Sequence, residues 1–472
     1  MVWLRIVRYT HYRNLSQGNR HDPNMPDRTC RFVTLGCKVN QYDTQLVREA
    51  LVGAGFREAQ RDEPAELCVV NTCTVTQKSD SDGRYEIRKL LRQNPKAQIV
   101  VMGCYAARAP GELRNLSGVT AVVDDPVALA ETLRSFGVTH LPRGISKFDG
   151  HHRAFVKVQD GCVLNCTFCI IPQVRPSLRS RPPEEIEQEV RRLVASGFHE
   201  IVLTGIHLGH YGVDFSKGRP RGEWCRLSHL VSRLVQVPGD WRLRLSSLEA
   251  TEVTDDLIDV LAREPRVCPH LHLCLQSGSD SVLKGMKRRY SVANFLRRVD
   301  KLMSRLDHPA LTTDVIVGFP SETETDFDQT LSVCDRVGFC KMHAFPYSPR
   351  QDTPAALMPD QIEARVIADR KSRLLTLESK LAERYYRTLV GRSLEVLVEQ
   401  VNRDDHGAKG TACRYVPVRF DAQPNEEYNL IHLIVVEAAR THVVGRRETG
   451  KVADSMIGRF SLPVLQKTPT YT

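Results

Sequence analysis

The chain reads as an α/β protein in three parts: a small parallel α/β domain first, a partial (βα)6-type barrel in the middle and a small β-barrel last. Three observations predict this. Apolar runs alternate with helical periodicity from residue 30 to about 140, and the alternation resumes in longer units from about 150 to 386. After 390, up to about 465, only short β-rich runs with turn residues between them remain. At 472 residues, 41% hydrophobic and 26% charged, the composition is globular and large enough for several domains. No apolar run approaches the ~18 residues of a membrane span. Residues 1–29 hold no signal-like apolar stretch and are expected to be a disordered extension, so a cytoplasmic chain without membrane contact is expected.

In the first domain "RFVTLG", "LCVVNTC", "AQIVVMGC" and "VTAVVDD" are the expected strands. "TQLVREALVGAG" and "SDGRYEIRKLLRQNP" are helices, stopped by glycine and proline. Cys37, Cys73 and Cys104 each follow the apolar run of a different strand. Ligands bind at the carboxyl ends of parallel strands, so three thiols distant in sequence are placed to converge there. Cys68, inside its strand, reads as a packed apolar side chain, and Cys30 carries no assigned role.

In the second part the strands are "AFVKVQ", "EIVLTG", "RLRLSS", "HLHLCL", "TTDVIVGF" and "KMHAFPY", with helices such as "PEEIEQEVRRLVASG" and "TDDLIDVLAREP" between them. Six βα units suggest a partial parallel barrel whose chemistry sits at the strand C-termini. Directly after the first strand comes "CVLNCTFC", with Cys162, Cys166 and Cys169 spaced C-x3-C-x2-C. A structural zinc site wants a fourth ligand nearby, and none follows; the next cysteine is Cys225. Three thiolates can hold three irons of a 4Fe-4S cluster and leave the fourth open to a small molecule. The alternative is a site closed by a remote thiol such as Cys274. The charged helix "PDQIEARVIADRKSRLLTLESKLAERYYRTL" closes this part.

In the last part "SLEVLVEQ", "CRYVPVRF" and "IHLIVVEAARTHVVGRR" are strand-forming. Net charge of +10 fits a polyanionic partner, since Lys and Arg release counterions from phosphates. The excess is not uniform: from Val390 onward eleven Lys and Arg face ten Asp and Glu.

The C-x3-C-x2-C loop after a first barrel strand resembles the radical S-adenosylmethionine (SAM) enzymes. With "TLGCKVNQYDTQ", "VVNTCTVT" and "VMGCYA" the chain resembles their methylthiotransferases from about Cys30 to Arg447, the C-terminal barrel being similar to an RNA-binding TRAM domain. The resemblance implies two 4Fe-4S clusters. Cys162, Cys166 and Cys169 hold the one on which SAM is cleaved; Cys37, Cys73 and Cys104 hold one carrying the sulfur to be transferred. It implies two SAM molecules per turnover and SAM contacts from Thr204, Gly205, Ser246, Glu249, Gln276 and Asp314; turn glycines and a strand-end glutamine are the plain structural alternative. The implied partners are a tRNA anticodon loop and an electron donor such as flavodoxin or ferredoxin, for a monomeric enzyme.

"GCKVNQYDT" with "NTCTVTQKSD" resembles the branch acting on threonylcarbamoyladenosine, called MtaB in bacteria. The isopentenyladenosine branch has a GCQMN-type segment and the branch modifying a ribosomal-protein aspartate a GCPKN-type one. Those two, and a non-catalytic iron-sulfur RNA-binding sensor, are the rival functions. One departure stands out: where the family reads roughly "IIPYxRG", this chain has "IIPQVRP", with Gln173 and Pro176. Pro176 biases Arg175 out of the α region. Arg175, Arg179 and Arg181 are candidates for tRNA phosphate contact or plain surface arginines. The first 24 residues match nothing in the family, and Met25 is a plausible start.

Overall fold

The computed structural model describes residues 28–402, 407–423 and 425–447. The expectations for the N-terminal extension up to residue 27, for Met25 as a start, and for the segment after 447 lie outside the described residues.

The first sheet is fully parallel and runs β2-β1-β3-β4-β5, with β1 Arg28–Thr34, β2 Phe56–Glu58, β3 Leu67–Thr72, β4 Gln98–Gly103 and β5 Val119–Val122. β3 is buried at every position, as a central strand covered on both faces must be. Cys68 packs in one apolar layer beside it and Cys30 in the other. The order reverses between β1 and β3, which opens a crevice at their carboxyl ends. Helix α1, Lys38–Gly53, leaves β1 there with Cys37 as its N-cap.

Six long strands of the second part are parallel but split into two four-stranded sheets. One is β7-β6-β8-β9, with β6 Ala154–Asp160, β7 Arg179–Ser180, β8 Glu200–Gly205 and β9 Arg242–Leu245. The other is β10-β11-β12-β13, with β10 Ser247–Leu248, β11 His270–Leu273, β12 Ala310–Val317 and β13 Lys341–Pro346. β6 and β13 do not pair, so the barrel is open on one side, and α1 packs against β6 and β8 there. The long helix spans Ala364–Arg387 and buries Leu374 and Leu381.

The last part is a closed barrel ordered β14-β15-β16-β18-β17, with β14 Ser393–Val401, β15 Gly407–Ala412, β16 Pro417–Asp421, β17 Leu430–Ala438 and β18 Val443–Arg446. The stretch "CRYVPVRF" is therefore not one strand. Cys413–Val416 forms a turn, and "GAKGTA", which has little intrinsic strand propensity, is a strand because β14 and β16 flank it.

That turn is a plug under the open barrel. Arg242 donates to the carbonyls of Glu395 and Thr411, both at 2.8 Å, and Arg244 to those of Cys413 at 2.9 Å and Ala412 at 3.2 Å. Tyr415 stacks on His270 with ring centroids 4.8 Å apart. Glu200, fully buried, balances the charge: its carboxylate is 2.6 Å from Arg242, 2.8 Å from Arg244 and 3.4 Å from Arg153. Burial opposes the Glu200 charge, but the three arginines outweigh it and hold the carboxyl well below the ordinary Glu range.

Glu200→Ala leaves three arginines with one fewer counter-charge beneath the barrel, and a loss of about 3–5 kcal/mol in chemical denaturation is expected. Because the folded-state pKa is depressed, Glu200's contribution is complete above the unfolded value of about 4.3 and lost as pH falls below it. Wild type should therefore lose stability on acidification more steeply than the Ala variant, and parallel acid profiles would refute the link.

Candidate active site

Cys37, Cys73 and Cys104 follow β1, β3 and β4 and meet at the crevice. A Cβ on Gly36, which has φ +105°, would stand 2.9 Å from Cys73 Cβ and 3.2 Å from its Sγ, so only glycine lets the Cys37 and Cys73 segments approach. Cys104 is the first residue of a short helix, and burial raises its thiol pKa, partly offset by Arg175, whose Nε is 3.4 Å from the sulfur. Burial pushes Cys73 up to about 12. Asn40 sits between, with Oδ1 3.8 Å from Cys37 Sγ and 3.2 Å from Arg175 Nη2.

The second trio lies on the loop leaving β6. Gly161, at φ +77°, starts it where a Cβ would be 2.0 Å from the Ser177 carbonyl. The Cys162 amide donates to the Arg175 carbonyl at 3.0 Å and the Cys169 amide to that of Cys166 at 3.1 Å, which curls the thiols onto one side. Cys166 Sγ accepts from Arg288 Nη1 at 3.2 Å, Arg288 is tied to Glu249 at 2.6 Å, and Cys162 Sγ is 3.7 Å from His207 Nδ1. Burial pushes Cys169 up to about 12. His207 is ion-paired with Glu252 and stacked on His210 at 3.8 Å; burial would lower its pKa, but Cys162 and Glu252 outweigh it and raise it to about 10.

One thiol of the first trio and two of the second meet at one small apolar cluster. Cys104, Ile170, Ile171 and Val174 form it, with Cys162 and Cys169 packed against it. All fourteen cysteines are free thiols. Buried thiols with raised pKa values become thiolates only with a cation to hold them. Two sets of three soft donors with N–H···S contacts fit iron-sulfur clusters, each set short of a fourth protein ligand. Cys274 is buried at the end of β11, near Arg288 and His272.

The other expected residues fall on the barrel's upper strands. Thr204 and Gly205 end β8; a Cβ on Gly205 would meet Gln159 at 3.0 Å. Ser246 follows β9, and Glu249 lies beyond β10. Gln276 takes φ +62°, with its amide bonded to the Asp314 carbonyl at 2.9 Å. Asp314 is different: it sits mid-strand in β12, its carboxylate 3.1 Å from His272 Nε2. His272 Nδ1 is 2.9 Å from Thr312 Oγ1, and His343 of β13 faces the pair, in register with Asp314. Burial opposes a charged His272, but Asp314 raises its pKa to about 9.

Two candidate phosphate-binding arginines are internal. Arg175 Nη1 grips both oxygens of Asp160 at 2.9 Å and its Nη2 reaches Asp43 at 3.0 Å. Arg181 is paired with Glu189 at 2.6 Å and bonded to Tyr42. Arg179 stays exposed. Arg175 takes φ −141° and ψ 66°, outside the α region as its following proline requires, and the Gln173 amide donates to the Asp352 carbonyl at 2.5 Å. Sequence reading missed His207, Glu252, Arg288, His272 and His343. The alternation of "HLHL" placed both histidines on one strand face, which was the available signal.

Comparison with known proteins matches residues 29–124 to the uncharacterized protein family UPF0004 and residues 156–334 to the radical SAM superfamily. A threonylcarbamoyladenosine tRNA methylthiotransferase MtaB of Bacillus subtilis is 39% identical over 89% of this chain and 96% of its own length. The MtaB of Chlamydia pneumoniae is 40% identical over 79% and 87%. A tRNA-2-methylthio-N(6)-dimethylallyladenosine synthase of Mycobacterium marinum is 37% identical over 79% and 76%. Among solved structures, the radical SAM methyltransferase TsrM of Kitasatospora setae, with cobalamin and a 4Fe-4S cluster, superposes with a TM-score of 0.51 at 14% identity over 70% of this chain and 77% of that one. At that identity the likeness is one of fold.

Arg175→Ala removes the bonds that tie β6 to α1 and Cys104, and a loss of about 1–3 kcal/mol is expected in chemical denaturation. Arg175→Lys should recover only part of it, because a single ammonium cannot span two carboxylates and a thiol. Full recovery by lysine would show that the fork geometry is immaterial.

Proposed function

The chain belongs to the radical SAM methylthiotransferases, and on that premise we propose that it inserts a methylthio group at carbon 2 of N6-threonylcarbamoyladenosine beside a tRNA anticodon. One observation carries the reading: Cys104 of the N-terminal trio shares one small apolar cluster with Cys162 and Cys169 of the barrel loop, so a sulfur-carrying centre and a hydrogen-abstracting centre would adjoin. The MtaB-type relatives, matched over most of their length, support the base assignment.

Cys162, Cys166 and Cys169 would hold one 4Fe-4S cluster with an iron open to SAM, and Cys37, Cys73 and Cys104 the other. When bound, these groups supply one-electron cleavage of SAM for removal of an unactivated aromatic hydrogen, and a carrier for the sulfur that replaces it. The protein's part is to hold and shield. Arg288 donates to Cys166 Sγ and stabilises its thiolate, while Glu249 fixes the guanidinium. Thr204, Gly205, Ser246, Glu249 and Gln276 lie at or beyond the strand ends where SAM would be held, and Asp314, paired with His272 in mid-strand, would contribute from deeper in the barrel. Recognition of a flipped base in a single-stranded loop suits RNA-binding edge and stacking contacts. No helix among the described residues is long and apolar enough to cross a membrane. We read the enzyme as a cytoplasmic monomer using a flavodoxin- or ferredoxin-type donor.

Anaerobic reconstitution should yield about eight irons per chain for two 4Fe-4S clusters. Cys166→Ala should make no 5′-deoxyadenosine while retaining the N-terminal iron; Cys104→Ala should still cleave SAM but give no methylthiolated nucleoside by mass spectrometry. Persistence of 5′-deoxyadenosine in the Cys166 variant would sink the assignment.

A further inference from the structure

Beneath the cysteines the barrel encloses a polar lumen. Its floor is the plug, with Tyr415 on His270 and the Glu200 cluster of arginines. At mid-depth stand His272, Asp314 and His343 on three adjacent strands. Into this space α1, packed against β6 and β8, projects its first residue, Lys38. The Nζ atom lies 5.8 Å from the ring centroid of Phe155 on β6, and its electrostatic neighbours are Arg153, Arg244 on β9 and Asp314 on β12. Only a group inside the barrel can be near the inner faces of β6, β9 and β12 together.

Every other charge identified in this lumen is matched. Arg153, Arg242 and Arg244 share Glu200, Arg153 also pairs with Glu399, and Asp314 pairs with His272. Lys38, half-buried, makes no hydrogen bond or ion pair with any described residue. Arg153 and Arg244 repel it more than Asp314, already paired with His272, attracts it, and an ammonium so placed is an incomplete pair. An arriving anion would complete it and relieve the repulsion.

We propose that Lys38 reads the adduct on the base: its ammonium, lacking a protein counter-ion, pairs with the carboxylate that a threonylcarbamoyl group carries and a dimethylallyl group lacks. This rests on threonylcarbamoyladenosine being the base that enters. His343 and the His272–Asp314 pair make the same lumen wall polar. A five-carbon apolar adduct would have to desolvate all of these without replacing their bonds. Lys38 adjoins Cys37, so one α1 terminus would set the sulfur carrier and the adduct together.

The test uses full-length reconstituted enzyme and two anticodon stem-loops, one with the free threonylcarbamoyl acid and one with its methyl ester. Wild type should favour the acid in kcat/KM by at least about tenfold, the scale of a charge-assisted hydrogen bond. Lys38→Met should lose that preference, falling on the acid to the level of the ester, with iron content equal to wild type; Lys38→Arg should keep most of it. A Lys38→Met enzyme that still prefers the acid overturns the proposal and leaves the base assignment intact. A variant short of iron overturns it too, by moving the role of Lys38 to the Cys37 segment. Wild type that modifies neither loop overturns the base assignment, and Lys38's part with it.

Discussion

The guanidinium of Arg175 donates to both oxygens of Asp160 on β6, to Asp43 and Asn40 on α1, and approaches Cys104 beyond β4. One side chain thus touches β6, the first helix and a thiol of the N-terminal trio. Its five donors in a rigid fork make this possible where lysine would offer a single point. Burial opposes the charge of Asp160, and Arg175 with Lys157 more than compensates, holding that carboxyl below its ordinary range. Because the Arg175 carbonyl also takes the Cys162 amide, the same residue sets the first turn of the radical loop. The approach of Cys104 to Cys162 and Cys169 around Ile170, Ile171 and Val174 follows from this knot. Two independently folded domains joined by a linker would not hold six thiols in register.

The opposite end is closed by the same physical means. Arg242 and Arg244 reach out of the barrel to main-chain carbonyls of the C-terminal domain, and Glu200 neutralises them from within. Such pairs add little net stability over apolar packing, but losing one partner is expensive, so they fix geometry. Backbone carbonyls of Glu395, Thr411, Ala412 and Cys413 accept from these arginines, and the Tyr415 ring stacked on His270 completes the plug.

The elements that alternate strongly were legible: six parallel barrel strands, the buried β3, and three cysteines at three strand ends, since topology alone brings those ends together. What failed to show was whatever depends on a distant partner. Arg175 and Arg181 read as surface or phosphate-binding groups because Asp43 and Tyr42, over a hundred residues earlier, are invisible to local pattern. β15 was missed because glycine, lysine and alanine become a strand only between two neighbours, and "CRYVPVRF" was overextended because its first half answers to the floor of another domain.

These contacts change what counts as the functional unit. The barrel alone is open at the side and at the base. The N-terminal domain packs α1 against β6 and β8, with Cys37 and Lys38 at the start of that helix, and the C-terminal domain closes the base with a turn. Each closure is made by charged groups paired across a domain boundary, so each domain is held where a neighbour's unpaired charge would otherwise be buried. A chamber assembled this way excludes water only when all three parts are docked. Reactive chemistry on an aromatic carbon needs that exclusion, so the boundaries visible along the chain divide what the site requires to be one body.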